Sequence, residues 1–369
     1  MKKVAILTFH NMRYCPYLNF YIDILNRCEN ISYDIIFFNR EKKLNEVLDN
    51  NKFKVDWIGK YNNNIVLKII NFINYYFKVK KILKTKNYDN VIVLTTIPGV
   101  ILSKFLSKKY YKKYIIDVRD YSWEKLPFYF KREKILFDSS LFNIISSPDF
   151  TLFLPKSHYL LCHNLNCHEI SKNKKINKNL NDTISIAYIG SISYVENCIK
   201  LIDLVVKDER FSINFYGNET RKNIISNYIS NLNCKRVNYY GPYTPNQTEF
   251  LYEKSNLIFN CYGNNNALVK YAISNKYYYG VLYHRPLLVS PNTTMSRLVG
   301  KFGFSLDLEN DKNLNKLFKW YEQLDEKEFD QYANKSLEVT INNNNKLAEK
   351  IINVLLEDIN EWKNQRINW

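Results

Sequence analysis

The sequence predicts two consecutive doubly wound α/β domains, each a largely parallel sheet with helices on both faces. Three observations carry this expectation. Short runs rich in β-branched residues alternate with longer amphipathic stretches from the first residue onward, the pattern of βαβ units. The series starts twice, on either side of a polar, charged stretch without apolar periodicity, Ser171 to Asn179. A chain of 369 residues is long for one hydrophobic core and comfortable for two.

Taken in order, Val4-Ala5-Ile6-Leu7 reads as the first strand. With Met1-Lys2-Lys3 before it the stretch resembles a secretory leader, but the apolar run ends after four residues, as a buried parallel strand does. Tyr17 to Cys28 and Ile65 to Leu83 have helical spacing, and Tyr33–Phe38, Val91–Leu94 and Tyr114–Val118 read as strands. Leu141 to Phe153 reads as a further helix, over Asn143–Phe150, followed by a strand at Thr151–Pro155. These elements make a first domain of residues 1–170, with residues 171–180 as linker.

Residues 181–344 form the second domain. Ile184–Gly190, Phe211–Gly217, Val237–Gly241 and Leu257–Asn260 are its strands, and three of the four end in glycine, which lets the backbone turn sharply or approach a ligand closely. A helix follows at Ser274–Tyr283, capped by Ser274 or Asn275 and stopped by Pro286. Leu287-Leu288-Val289 is a short buried strand, and Ser290–Ser296 a turn into a second helix starting near Ser296. Residues 345–369 read as one helix with Leu347, Ile351, Ile352, Leu355, Ile359 and Trp362 on a face.

Ligands of open α/β sheets lie outside the carboxyl ends of the strands. Those ends carry Gly190-Ser191, Gly217-Asn218 and, with hydroxyls and free N–H groups suited to phosphate, Thr293-Thr294. In the first domain they carry His10–Arg13 and Asp117-Val118-Arg119-Asp120, where two acids and an arginine fall within four residues. Asp117 and Arg119 read equally as a structural pair. His158, Cys162, His163, Cys167 and His168 resemble a ligand cluster, but histidines five apart do not share a face of one element, so no metal is expected.

Seven scattered cysteines suit free thiols in a reducing, cytoplasmic compartment. No apolar run approaches the ~18 residues a membrane-spanning helix needs. The net charge is +17, and Lys60 to Lys134 hold 17 Lys and Arg against 5 Asp and Glu, so an anionic partner is expected. Within that region Ile65–Lys86, Lys108–Lys113 and Phe128–Arg132 interleave lysines with aromatics, as segments lying on an anionic membrane surface do. No nucleic-acid-binding motif is present, so nucleic acid is not the expected partner.

The helix, Arg285-Pro286, strand and threonine turn, followed by Arg297-Leu298-Val299 and Gly303, together resemble the donor-binding segment of bacterial glycosyltransferases of the GT-B fold. The segment is most similar to the family usually numbered four, and within it to enzymes of capsule and O-antigen gene clusters. Those relatives carry a ribose-holding glutamate on this helix and often a second acid eight positions earlier. Tyr279 and Tyr271 stand there in this chain. Where relatives supply diphosphate-binding cations after the first strand of the domain, this chain has Ser193, and Lys276, Arg285 and Arg297 are the substitutes it offers.

The resemblance implies a cleft between two Rossmann-like domains and a C-terminal helix that crosses back to the first. It also implies a metal-independent glycosyltransferase, hexosyl or other, acting on a nucleoside diphosphate-sugar and a lipid-linked glycan acceptor, with no cofactor. Gly190, Ser191, Gly217, Asn218, Lys276, Tyr279, Thr293 and Thr294 would hold the donor. Asp120 would contact a sugar, and Arg119 would pair with phosphate or orient that carboxylate. His163-Asn164 matches the pair that closes the first domain in relatives. The protein would work in the cytoplasm, on the inner face of the membrane. The missing acids also fit a GT-B-shaped partner or chaperone of an active transferase, itself without turnover.

Overall fold

The computed structural model describes residues 1–41, 49–60, 64–165, 174–176, 178, 180, 182–310 and 312–356. Cys167, His168, linker positions 171–173, 177 and 179, and the helix positions Ile359 and Trp362 lie outside the described residues. The chain divides into two units, Met1–Asn166 with Asn342–Trp369, and Cys167–Ile341.

The first unit is built on a parallel sheet of β1 (Lys2–Thr8), β2 (Ile31–Asn39), β3 (Lys52–Asp56), β4 (Asn90–Leu94), β5 (Tyr114–Val118), β6 (Phe142–Ile145) and β7 (Tyr159–Leu161). The strand order is β3-β2-β1-β4-β5-β6-β7, so the direction of winding reverses between β1 and β4. Its helices are α1 (Leu18–Asn26), α2 (Ile65–Lys86), α3 (Thr96–Lys109) and α4 (Pro127–Ser139). Register places Ile35, Ile6, Ile92, Ile115 and Phe142 in one row across β2, β1, β4, β5 and β6. The row is buried, and each such side chain contributes about 1.5–3 kcal/mol of burial. Leu18, Tyr21 and Leu25 of α1 cover it.

Two expectations for this unit are corrected. Asn143–Phe150 is not a helix: Phe142–Ile145 is β6, fully buried between β5 and β7, where β-branched residues fit better than on a helix face. Thr151–Pro155 is not a strand, because Pro148 opens a short 3-10 helix, Pro148–Leu152, and the last strand waits until Tyr159.

The second unit holds a parallel sheet of β8 (Ile184–Ile189), β9 (Phe211–Tyr216), β10 (Val237–Gly241), β11 (Leu257–Asn260), β12 (Leu287–Val289) and β13 (Phe304–Ser305). The order β10-β9-β8-β11-β12-β13 reverses between β8 and β11. Around it lie α5 (Val195–Val206), α6 (Ile224–Ser230), α7 (Thr248–Glu253), α8 (Ala267–Tyr271), α9 (Asn275–Leu282), α10 (Thr294–Val299), α11 (Asn313–Gln323) and the start of α12 (Glu326–Leu356). Ser274 caps α9 through its side chain, and α10 begins at Thr294, two residues before the expected Ser296.

The last helix also begins earlier than expected, at Glu326 rather than Asn345. Its buried stripe runs Phe329, Ala333, Leu337, Ile341, Asn344, Leu347, Ala348, Ile351 and Leu355. Asn344 interrupts the apolar pattern for a reason: its amide oxygen accepts from the His163 N–H at 2.8 Å and its nitrogen donates to the His163 carbonyl at 3.1 Å. Leu347, Ala348, Ile351, Val354 and Leu355 join the core of the first unit.

Candidate functional site

In the second unit the strand-order reversal between β8 and β11 brings several sequence candidates to one place. β8 ends at Gly190 and β9 at Gly217, both with positive φ, +123° and +141°. A Cβ on Gly217 would run into the Gly190 carbonyl, so the two strand ends meet at a spacing only glycine permits. The Gly190 N–H donates to the Tyr216 carbonyl and that of Gly217 to the Gly241 carbonyl, each at a strand's carboxyl end. Ser191 and Asn218 follow directly and are exposed.

Lys276, from the first turn of α9, reaches this edge. Its Nζ lies so that a Cβ on Gly190 would be 3.6 Å away. The amine is buried, donates to the Tyr262 hydroxyl at 2.5 Å, and sits 4.4 Å from the centre of the Tyr188 ring. Tyr262 is hydrogen-bonded in turn to Tyr188, whose hydroxyl donates to the Ser191 carbonyl at 2.9 Å, and Tyr194 stacks on Tyr262 at 4.2 Å. Among the described residues no carboxylate pairs with Lys276. Burial pushes its ammonium down to about 7, with Cys198 pulling weakly the other way. Tyr188, Tyr194, Tyr262 and Cys198 were not singled out from the sequence; the one signal was Tyr262-Gly263, two residues past the end of a strand.

The other donor candidates are arranged differently. Thr293 is buried, and its hydroxyl serves the helix cap: it donates to the Ser290 carbonyl and accepts from the Ser296 N–H. The Thr294 hydroxyl lies 3.4 Å from the Arg297 guanidinium, and Arg297 is exposed. Tyr279 is 39% exposed, one turn beyond Lys276, with Tyr283 stacked parallel and Tyr252 tilted against it. Arg285 is corrected as a phosphate ligand. Its guanidinium is buried and donates to the carbonyls of Tyr252, Lys175, His284 and Glu253, so it ties the end of α7 and the segment at Lys175 to its own turn.

At the carboxyl end of β5, Arg119 and Asp120 point different ways. Arg119 is buried against Asp117 at 2.5 Å and also donates to the Cys162 carbonyl and to Asn164 at 2.5 Å. Tyr21 donates to the same Asp117 carboxylate at 2.7 Å. The guanidinium therefore anchors β5 to the segment after β7, and the expectation that it meets phosphate is revised. Asp120 is exposed, yet the protein crowding around it lifts its carboxyl to about 6, with Arg119 drawing it down. His10 is pushed down to about 4 by burial and by Arg40, and is neutral near pH 7.

The reversal point of the first sheet has its own polar group, which the sequence reading passed over. Thr95, directly after β4, holds φ 73°, and Thr96 donates to Ser122 at 3.0 Å and accepts from Tyr129 at 2.7 Å. Glu124 accepts from the Ser122 N–H at 2.6 Å. Glu133, one turn beyond Tyr129 on α4, is fully buried, and among the described residues neither carboxyl oxygen has a partner. Burial, and then the nearby Glu124, push it up to about 9, so it is protonated at neutral pH.

On α2 the buried face is Asn71, Tyr75, Val79 and Leu83, while Ile65, Val66, Ile69, Ile70, Ile73 and Phe77 are exposed. Phe72 meets Trp123 at 5.7 Å, so this surface continues to exposed Trp123, Leu126 and Phe128 at the start of α4. No described helix is long and apolar enough to cross a membrane. No group of three or more His, Cys, Asp or Glu among the described residues could hold a metal.

No family model matches the sequence, and no curated protein matches it. Solved structures do. A trehalose-6-phosphate synthase from E. coli bound with UDP-2-fluoro glucose superposes with a TM-score of 0.69 at 9% identity, over 97% of this chain and 100% of that one. Sucrose-phosphate synthase from Thermosynechococcus elongatus gives 0.66 at 10%, over 95% and 99%. The lipopolysaccharide outer core galactosyltransferase WaaB in apo form gives 0.65 at 14%, over 94% and 98%. UDP-N-acetylglucosamine 2-epimerases share the architecture too. Together with the two Rossmann-like parallel-sheet domains, these likenesses define the fold as GT-B.

Proposed function

We propose that this chain is a glycosyltransferase that moves a sugar from a nucleoside diphosphate-sugar to a lipid-linked glycan acceptor during capsular or O-antigen polysaccharide assembly. The observation that carries the donor half is the buried Lys276 amine set against Gly190 at the reversal point of the second sheet. An amine without a carboxylate partner, beside a strand end bare of side chains, suits a diphosphate. Neighbours of the fold described with UDP-2-fluoro glucose or UDP-GlcNAc support the same ligand class.

The donor lies along Gly190, Ser191, Gly217 and Asn218, with Tyr279 beside the nucleoside. Lys276 meets the charge that builds on the departing diphosphate, which a divalent ion would otherwise meet. Asp120, with a carboxyl near 6, accepts a proton or hydrogen bond from a sugar hydroxyl in this reading, and Arg119 holds the strand end that carries it. The lipid half rests on the exposed apolar face of α2 and its surrounding lysines, complementary to an anionic bilayer on the cytoplasmic side.

Calorimetric titration of the purified protein with UDP, GDP, ADP and CMP tests this reading. One diphosphate binds selectively, and Lys276→Met weakens it at least about tenfold, the cost of one charge-assisted hydrogen bond. If none binds at millimolar concentration, the donor site is defunct. Tyr279 and Tyr271, standing where relatives carry acids, favour a second reading in that event, a GT-B-shaped partner of another transferase without turnover of its own.

A further inference from the structure

The Lys276 amine is enclosed by groups that offer no negative charge. Tyr188 faces it from β8, Cys198 from α5 and Tyr262 from the end of β11, and Gly190 leaves the remaining side open. Burial raises the pKa of both tyrosines and takes the Cys198 thiol up to about 12, so all three are neutral in the physiological range. Glu196 and Glu219 act on Cys198 and not on the amine. An ammonium in such surroundings loses most of its hydration and gains only one hydroxyl acceptor and two ring faces in return.

We infer that above neutral pH Lys276 is carried mainly as a neutral amine in the empty protein and takes up to one proton from solvent when a diphosphate docks beside Gly190, so that donor binding is coupled to proton uptake. The inference rests on the donor-site reading above. The arriving diphosphate supplies the two negative charges the enclosure lacks, and the proton that joins the Nζ lone pair makes the charge-assisted hydrogen bond to a phosphate oxygen possible. The amine's position near 7 in the empty protein agrees with this sequence of events. Binding then weakens as the pH rises, because a proton must be supplied at each association. A cation that is silent until its ligand arrives also discriminates: a neutral sugar brings nothing to draw the proton in.

Calorimetry with UDP at pH 8, in a series of buffers of different ionisation enthalpy, tests it, since a nucleoside diphosphate is itself then ionised, and inorganic pyrophosphate serves as a second probe of binding alone. The slope of observed heat against buffer ionisation enthalpy is expected to show uptake of roughly 0.5–1 proton, and affinity to fall about five- to fiftyfold from pH 7 to pH 9. Lys276→Arg, charged throughout, is expected to bind with a slope near zero. UDP binding to the natural chain with no proton uptake at pH 8 overturns the inference and leaves the donor reading standing. If neither UDP nor pyrophosphate binds, both fall. A ¹³Cε-lysine titration of the empty protein in which the Lys276 signal moves only near pH 10 also overturns the inference, whatever the binding result.

Discussion

At Gly217 the backbone of β9 passes so close to the end of β8 that any side chain meets the Gly190 carbonyl, and its φ of +141° is unfavourable for other residues. Gly217→Ala is therefore expected to cost on the order of 2–4 kcal/mol, read as a lowered urea midpoint, and to abolish nucleotide binding in whatever folded fraction remains. A glycine at the end of a strand could be seen in the sequence, and so could its role as an approach point. The neighbours of Lys276 could not. Tyr188 sits mid-strand with a core-like pattern around it, and Tyr262 and Cys198 come from elements far apart in sequence, so only the parallel register brings them together. Arg119 and Arg285 misled in the opposite direction. An arginine beside an acid or a proline reads as a ligand-binding cation, but burial turned both inward to satisfy carbonyls and a carboxylate.

Helix α4 carries an element-level cost in Glu133. Its carboxyl stays protonated up to about 9 in the folded protein and ionises near 4.5 in the unfolded chain. Between those values the fold retains a proton that the unfolded chain has released, so this residue makes stability fall as pH rises from about 5 to 9. Glu133→Gln keeps the shape and removes the ionisation. It is expected to raise stability at pH 8 by about 1–3 kcal/mol, with a smaller gain at pH 5, measured as Tm at the two values. The alternating strands and helices of both units were legible because β-branched runs buried on both faces have few other fates. Where the reading failed, local signals competed: Pro148 and Pro155 bracketed a stretch that looked like strand, and Asn344 broke an otherwise continuous helical stripe.

For the whole molecule, charge and exposed apolar surface coincide in the first unit. The face of α2 and the start of α4 present isoleucine and aromatic side chains amid lysines, which predicts an attachment that needs both terms. Flotation is expected with anionic vesicles at low salt, to weaken at 0.5 M salt, and to be lost in Ile69→Ser with Ile73→Ser while the circular dichroism spectrum is unchanged. Flotation with neutral vesicles alone, or none, contradicts the membrane assignment, and a gel shift with generic DNA under the same conditions points to the partner the sequence reading set aside.

The first unit is discontinuous in the chain: its core row of isoleucines is completed by Leu347, Ile351 and Leu355, which follow the whole of the second unit. During synthesis, then, the domain made first is finished last. As residues emerge from the ribosome, the second unit can assemble while the first still lacks one wall, its basic surface already formed but its interior open. A message cut short before residue 342 would leave a complete second unit attached to an unclosed first one. Only a chain translated through this helix can close the first unit, so the two units are made in one order and completed in the other.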